Sequence, residues 1–214
     1  MIGFVIVKTS NENEVSKMIA RNSYNELKRK YWDVASWALW APASVTPKSN
    51  MGDLSVFDDP DLLKIIGTRF VLVGLNGSGK HDEYLDFGKA WYNFHSDYSR
   101  GNDFKMRYAF QNTPVWGSYI TDFIKYYQEV DSNKALRYVK SNPDVMKQNV
   151  EALKDELTLL GGSPILVALG DAAYNLLNTF FGKNYTVVKI KHYSYTIGKE
   201  EYRRDALSTL SRFF

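Results

Sequence analysis

The chain contains no cysteine. Disulfides, thiolate metal sites, cysteine nucleophiles and iron-sulfur clusters are therefore excluded. No apolar run approaches the roughly 20 residues of a membrane-spanning helix. The apolar start from Met1 to Val7 is short and lacks a basic leader, so a soluble, cytoplasmic protein is expected. Net charge is small as well: 27 basic against 24 acidic side chains leave +3, too little to argue for nucleic acid alone. The basic residues are nevertheless grouped. Lys183, Lys189, Lys191, Lys199, Arg203 and Arg204 crowd the C-terminal fifth, and Lys80, Lys89, Arg100, Lys105 and Arg107 lie mid-chain. Such groups are ordinarily a solvated face.

At 214 residues, with 44% hydrophobic and 24% charged side chains and no linker-like stretch, residues 1–214 read as one domain. A helical region over 1–67 would pack on a core over 68–214. Aromatic content is generous at 15%, which suits base stacking but more often serves core packing.

The most informative stretch runs from Phe70 to His81. Phe70-Val71-Leu72-Val73 reads as a strand buried on both faces, broken abruptly by Gly74-Leu75-Asn76-Gly77-Ser78-Gly79-Lys80-His81. A glycine-rich turn after a parallel strand exposes backbone amides where ligands collect. Gly74 to Lys80 matches the phosphate-binding loop except that His81 replaces the hydroxyl residue that would ligate Mg²⁺. A second reading takes Gly74-Leu75-Asn76 as the motif, with the Asn76 amide aimed into a cleft.

Residues 2–7 read as a strand or a terminal arm. From Asn22 to Pro42 the apolar positions Tyr24, Leu27, Tyr31, Val34 and Ala38 have helical spacing, and Pro42 ends the helix. Residues 41–62 read as irregular, and 82–107 as a loop with short helices folding over the site, Asn102 capping a helix through Phe110. Trp116 to Lys125 reads as a strand, Asn142-Pro143 as the start of a helix closed by Gly161, and Ile165 to Leu169 as a buried strand. Asp171 opens a helix closed by Gly182, Tyr185 to Ile190 form a strand, and a last helix starts at Lys199. Strands alternating with long helices predict a three-layer α/β/α sandwich around a mostly parallel four-stranded sheet. Asn76, Asp122 and His192 would then end three strands at one edge.

The order of these motifs resembles the uracil-DNA glycosylase superfamily, especially its mismatch-specific and thermophile-type branches, over roughly residues 68–205. Gly74-Leu75-Asn76-Gly77-Ser78 is similar to its first motif, Gly-Ile-Asn-Pro-Gly. Tyr119-Ile120-Thr121-Asp122-Phe123-Ile124-Lys125 is similar to Tyr-Ile-Thr-Asn-Val-Val-Lys, Leu169-Gly170-Asp171-Ala172-Ala173 to Leu-Gly-x-x-Ala, and His192-Tyr193-Ser194 to the closing His-Pro-Ser. The resemblance implies a DNA N-glycosylase acting on a flipped or single-stranded damaged base. Asn76 would position the attacking water and His192 would stabilise the departing base. Asp122, Gly74 and Leu75 would hold the base, with Phe94, or else Trp91, stacked on it. Ser194, Tyr195, Ile197, Lys191 and Lys199 would touch DNA, Tyr195 or Ile197 as a wedge and the lysines at phosphates.

No cofactor or metal is implied; His81, His95 and Asp97 lack the spacing of a metal site. DNA is the expected partner, and the protein is expected to be a monomer. Three departures stand out. Gly77 and Tyr193 replace prolines, and Asp122 replaces the Asn that reads the base edge. A carboxylate offers acceptors only, so either burial keeps Asp122 protonated or the ligand presents an amino group. A nucleotide- or nucleic-acid-binding protein without chemistry is the rival reading, and a phosphate-loop NTPase the third.

Overall fold

A computed structural model describes residues 18–77 and 89–214. The strand expected at 2–7, and Ser78, Gly79, Lys80, His81, Asp82 and Glu83 of the central stretch, lie outside the described residues. Five strands form one sheet: β1 (Ala35–Trp37), β2 (Gly67–Asn76), β3 (Ser118–Ile124), β4 (Ile165–Leu169) and β5 (Val187–Ile190). Their order is β1-β3-β2-β4-β5. β2 to β5 run parallel and β1 is antiparallel to β3.

The sheet thus has one strand more than the four expected, and the addition comes from within the helix expected over 22–42. That helix, α1 (Arg21–Tyr31), stops at Tyr31. Ala35, Ser36 and Trp37 then pair with Thr121, Ile120 and Tyr119. The apolar spacing that continues through Val34 and Ala38 is compatible with either structure. An unpaired ladder on β3 favours the strand, because its buried amides and carbonyls need partners.

Helices cover both faces. On one lie α1, α4 (Ser132–Ser141), α5 (Pro143–Leu160) and α6 (Asp171–Phe181), packed on Val71, Val73, Leu75, Tyr119 and Phe123. On the other lie α3 (Phe104–Phe110) and α7 (Lys199–Leu210), packed on Phe70, Leu72, Ile120, Val167 and Ile190. Alternate residues of each strand feed opposite layers, as the period of two dictates. A short α2 (Leu62–Ile65) precedes β2. Where the boundaries were signalled, the cause is local: Pro143 occupies the first turn of α5, and Gly161 (φ 71°) ends it with its amide bonded to Leu157. α4, which the sequence reading passed over, is capped by the Asp131 carboxyl on the Asn133 and Lys134 amides.

α3, the first helix described after β2, lies on one face and α6, which follows β4, on the other. Beyond the carboxyl ends of these adjacent strands lies a crevice. Among the described residues, no helix is long and apolar enough to cross a membrane.

Candidate active site

A cleft of about 1250 Å³ occupies that crevice. Its walls include Leu75 and Asn76 from β2, Asp122 from β3, Gly170 and Asp171 after β4, His192 and Tyr193 after β5, and Phe94 from the 89–102 segment.

Asp122 stands at the floor, and the residue beside it explains how. Gly74 pairs with Asp122 across the β2–β3 ladder. A β-carbon at Gly74 would collide with Oδ1 of Asp122 and come 3.6 Å from the Phe94 ring. Only glycine leaves room for the carboxyl on this face. Asn93 Nδ2 donates to Asp122 Oδ2 at 3.2 Å, while Oδ1 has no partner among the described residues. Asp122 is 5% exposed, and burial pushes its carboxyl up to about 7, against the pull of Asn93 and Lys125.

Phe94 reaches the cleft because the backbone around it is forced. It has φ 66° and Trp91 has φ 72°, a region that bulky side chains rarely adopt. The segment is tied down by Trp91 N–H to Trp32 O, Asn93 Nδ2 to Val34 O, Ser36 Oγ to Trp91 O and Trp40 Nε1 to Phe94 O. Strung along β1 and its continuation, this segment turns Phe94 inward beside Asp122. Trp91 instead enters the core: it is fully buried against Tyr24 and Trp37, with Nε1 donating to Tyr24. It does not line the cleft, so its proposed stacking role is withdrawn.

Asn76 is committed on one side only. Its Nδ2 donates to the carbonyls of Gly77 (2.8 Å), Glu129 (2.8 Å) and, at 3.4 Å, Tyr127. Together with Glu129 N–H to Gly77 O, these bonds join the ends of β2 and β3. Fixing the amide nitrogen this way fixes Oδ1 as the remaining acceptor, without a partner among the described residues.

His192 is half-buried and stacked on Tyr193 with centroids 4.2 Å apart. The Ser194 amide donates to His192 Nδ1 at 3.2 Å, and Ser194 Oγ lies 2.7 Å from the same nitrogen. Nδ1 is therefore an acceptor, and the neutral ring carries its proton on Nε2. Desolvation by the cleft walls pushes the imidazole down to about 4. Gly170 (φ 93°) lies against it, where a β-carbon would come 3.3 Å from His192 Cβ.

Some expected contacts are elsewhere. Gly74 is behind the floor, under Asp122. Lys191 is paired with Asp205, and Lys199 with Glu200 and the face of Tyr108, so neither cation is uncommitted. Ser194 and Tyr195 line the cleft, and Ile197 lies just outside it in a shallow neighbouring hollow. His95 is fully buried, with its ring nitrogens 3.0 and 2.9 Å from the carbonyls of Asn93 and Leu39. No group of three or more potential metal ligands exists among the described residues. The phosphate-loop reading set Gly74 at the start of a turn, whereas Gly74 is inside β2 with a buried carboxyl on it. The helix that reading requires at Gly79 or Lys80 lies outside the described residues.

The sequence reading overlooked Asn93 and Asp103. Asp103 lines the cleft, is buried, accepts from Ser96 N–H and is pushed up to about 6 by burial. Nothing local distinguished either from the other polar residues of a loop. No family model, curated protein or solved structure matches this chain.

Proposed function

We propose that the cleft binds a nucleobase and hydrolyses its N-glycosidic bond. One observation carries this reading: an acceptor held by its own amide (Asn76), a neutral imidazole whose N–H has no partner among the described residues (His192), a buried carboxyl (Asp122) and an aromatic ring (Phe94) all line one cleft at the carboxyl edge of the sheet. Asn76, His192 and Phe94 match the roles that the resemblance to the uracil-DNA glycosylase superfamily implies, and Asp122 stands where that family places the Asn that reads the base edge.

The chemistry follows from their protonation. As the C1′–N bond breaks, its electron pair leaves on the base and the sugar gains oxocarbenium character. Asn76 Oδ1 accepts a hydrogen bond from the incoming water and orients it. Asn cannot remove the proton, so the water is positioned, its oxygen bonds to C1′, and the proton passes to solvent. Neutral His192 donates Nε2–H to an oxygen of the departing base without transferring a proton. Phe94 offers a face for stacking, and Asp122 reads the base edge.

The test is base release from oligonucleotides carrying uracil, hypoxanthine, xanthine, guanine lesions and alkylated bases, read as alkali-labile abasic sites. Release that falls by 100-fold or more in Asn76→Ala, with oligonucleotide binding retained, supports the reading. Absence of release from every substrate at micromolar protein overturns it, and salt-sensitive binding unaffected by Asn76→Ala would favour a binding protein without chemistry.

A further inference from the structure

At Asp122 the described residues present carboxyl acceptors to the cleft, while the donors of the neighbouring Asn93 are spent inside the protein, and that arrangement has a complement. We infer that the base held there presents two adjacent N–H donors, the guanine type of edge, and not the uracil type. This rests on the base-binding reading above.

Asn93 decides the asymmetry. Its Oδ1 accepts from the Phe94 amide at 3.1 Å, so its Nδ2 must face the other way. There it donates to Val34 O (2.8 Å) and Asp122 Oδ2 (3.2 Å). Both ends of the amide are used within the protein, and neither remains for a ligand. Asp122 keeps Oδ1 unpartnered among the described residues and a second lone pair on Oδ2. The nearest ammonium, Lys125, belongs to the opposite face of the sheet. It donates to the Asp122 backbone carbonyl, Thr121 Oγ1 and Glu156, not to the Asp122 carboxyl. No described donor reaches Oδ1, and that oxygen is not among the buried atoms left without a partner, so it remains open to a donor that enters the cleft.

The charged and titratable groups acting on Asp122 are Lys125, Glu156 and Asp103. Tyr193 also borders it: burial raises the Tyr193 phenol, and Asp103 and Asp122 raise it further. Two of these neighbours are acids, so the ionised carboxyl gains most from a ligand that brings N–H groups. Guanine places its ring N–H beside its amino group and so donates twice to one carboxylate. Hypoxanthine keeps only the ring N–H. Uracil sets its N–H between two carbonyl oxygens, which a carboxylate repels. Adenine and cytosine put an amino group beside a lone pair. Phe94 is placed to stack while this edge is read, since its ring and the Asp122 carboxyl both stand over Gly74.

The experiment is an NMR or calorimetric titration of the full chain at pH 8 with deoxyguanosine, deoxyinosine and deoxyuridine. Deoxyguanosine is expected to bind at least about tenfold tighter than deoxyinosine, because loss of the amino group leaves acceptors unpaired. Asp122→Asn, which preserves shape, is expected to bring the three within about threefold. Equal affinities in the wild type, a preference for deoxyuridine, a guanine preference that survives Asp122→Asn, or no binding at millimolar nucleoside each overturn the inference. Because binding is read at equilibrium, absence of base release from any oligonucleotide would defeat the hydrolytic reading alone and leave the edge preference standing.

Discussion

Gly74 and Asp122 share one position on the sheet: the carboxyl of Asp122 fills the space that a side chain at Gly74 would occupy. The glycine, read from sequence as a turn residue, is instead a place in a strand where a neighbour's side chain lies flat over the backbone. Its function is to let an acidic group be buried at the base of the cleft. Several consequences can be measured.

Gly74→Ala should displace Asp122 and disturb Phe94. Overpacking of this kind costs about 1–3 kcal/mol, so urea unfolding should show that loss together with weakened nucleoside binding. Unchanged stability and binding would mean that the carboxyl does not sit on Gly74.

Asp122→Asn should stabilise the protein at pH 8 and do little at pH 4. The folded carboxyl titrates at about 7, above the unfolded value of roughly 4. Its contribution is therefore fully present below pH 4 and is lost as pH rises through 7. The gain from the substitution at pH 8 is on the order of 4 kcal/mol. Thermal melts across pH 4–8 in both proteins would reveal it, and parallel curves would refute a raised carboxyl.

His192 should stay neutral until the solution is distinctly acidic. With its imidazole pushed down to about 4, the proton it lacks in the fold is one that the unfolded chain binds below about 6.5. Its stabilising contribution is present above that pH and fades as pH falls toward 4. NMR titration of the ring, assigned with His192→Gln, should show no inflection near 6.5. An inflection there would make His192 a general acid instead of a neutral donor. His192→Gln keeps an N–H donor and should lose less activity than His192→Phe.

Lys125→Met should destabilise by about 3–5 kcal/mol and, by removing a cation that pulls the Asp122 carboxyl down, should also raise that carboxyl further. Lys125 and Glu156 form an ion pair at 2.6 Å with side chains 2% and 0% exposed. Tyr119 and Thr121 donate to the same carboxylate at 2.9 and 2.8 Å. Removing the ammonium leaves a buried charge uncompensated. Adding Glu156→Gln removes that charge while keeping an acceptor for both hydroxyls, so the double variant should regain most of the loss in urea unfolding. A double variant as unstable as the single one would show that the pair's charge is not what matters.

The sequence by itself determined the alternation of strands and helices, because buried parallel strands must be apolar throughout and helices carry their stripes and stops locally. Phe70 to Val73, Ile165 to Leu169, Pro143, Gly161 and Asp171 could be read without knowing what lies across the sheet. The same logic pointed to the edge near which Asn76, Asp122 and His192 lie: Asn76 ends β2, Asp122 stands two residues before the end of β3 and His192 two residues beyond β5. Tertiary structure alone decided the rest. The strand of Ala35–Trp37 exists because β3 had a free ladder beside it, a property of β3 and not of those residues. Trp91 and Phe94, three residues apart in one polar segment, go to the core and to the cleft because hydrogen bonds from residues 32–40 impose left-handed backbone on both. The proton on His192, the orientation of Asn93 and the oxygen of Asp122 that no described donor reaches depend on which donors and acceptors meet across space. Local sequence carries no record of those distances.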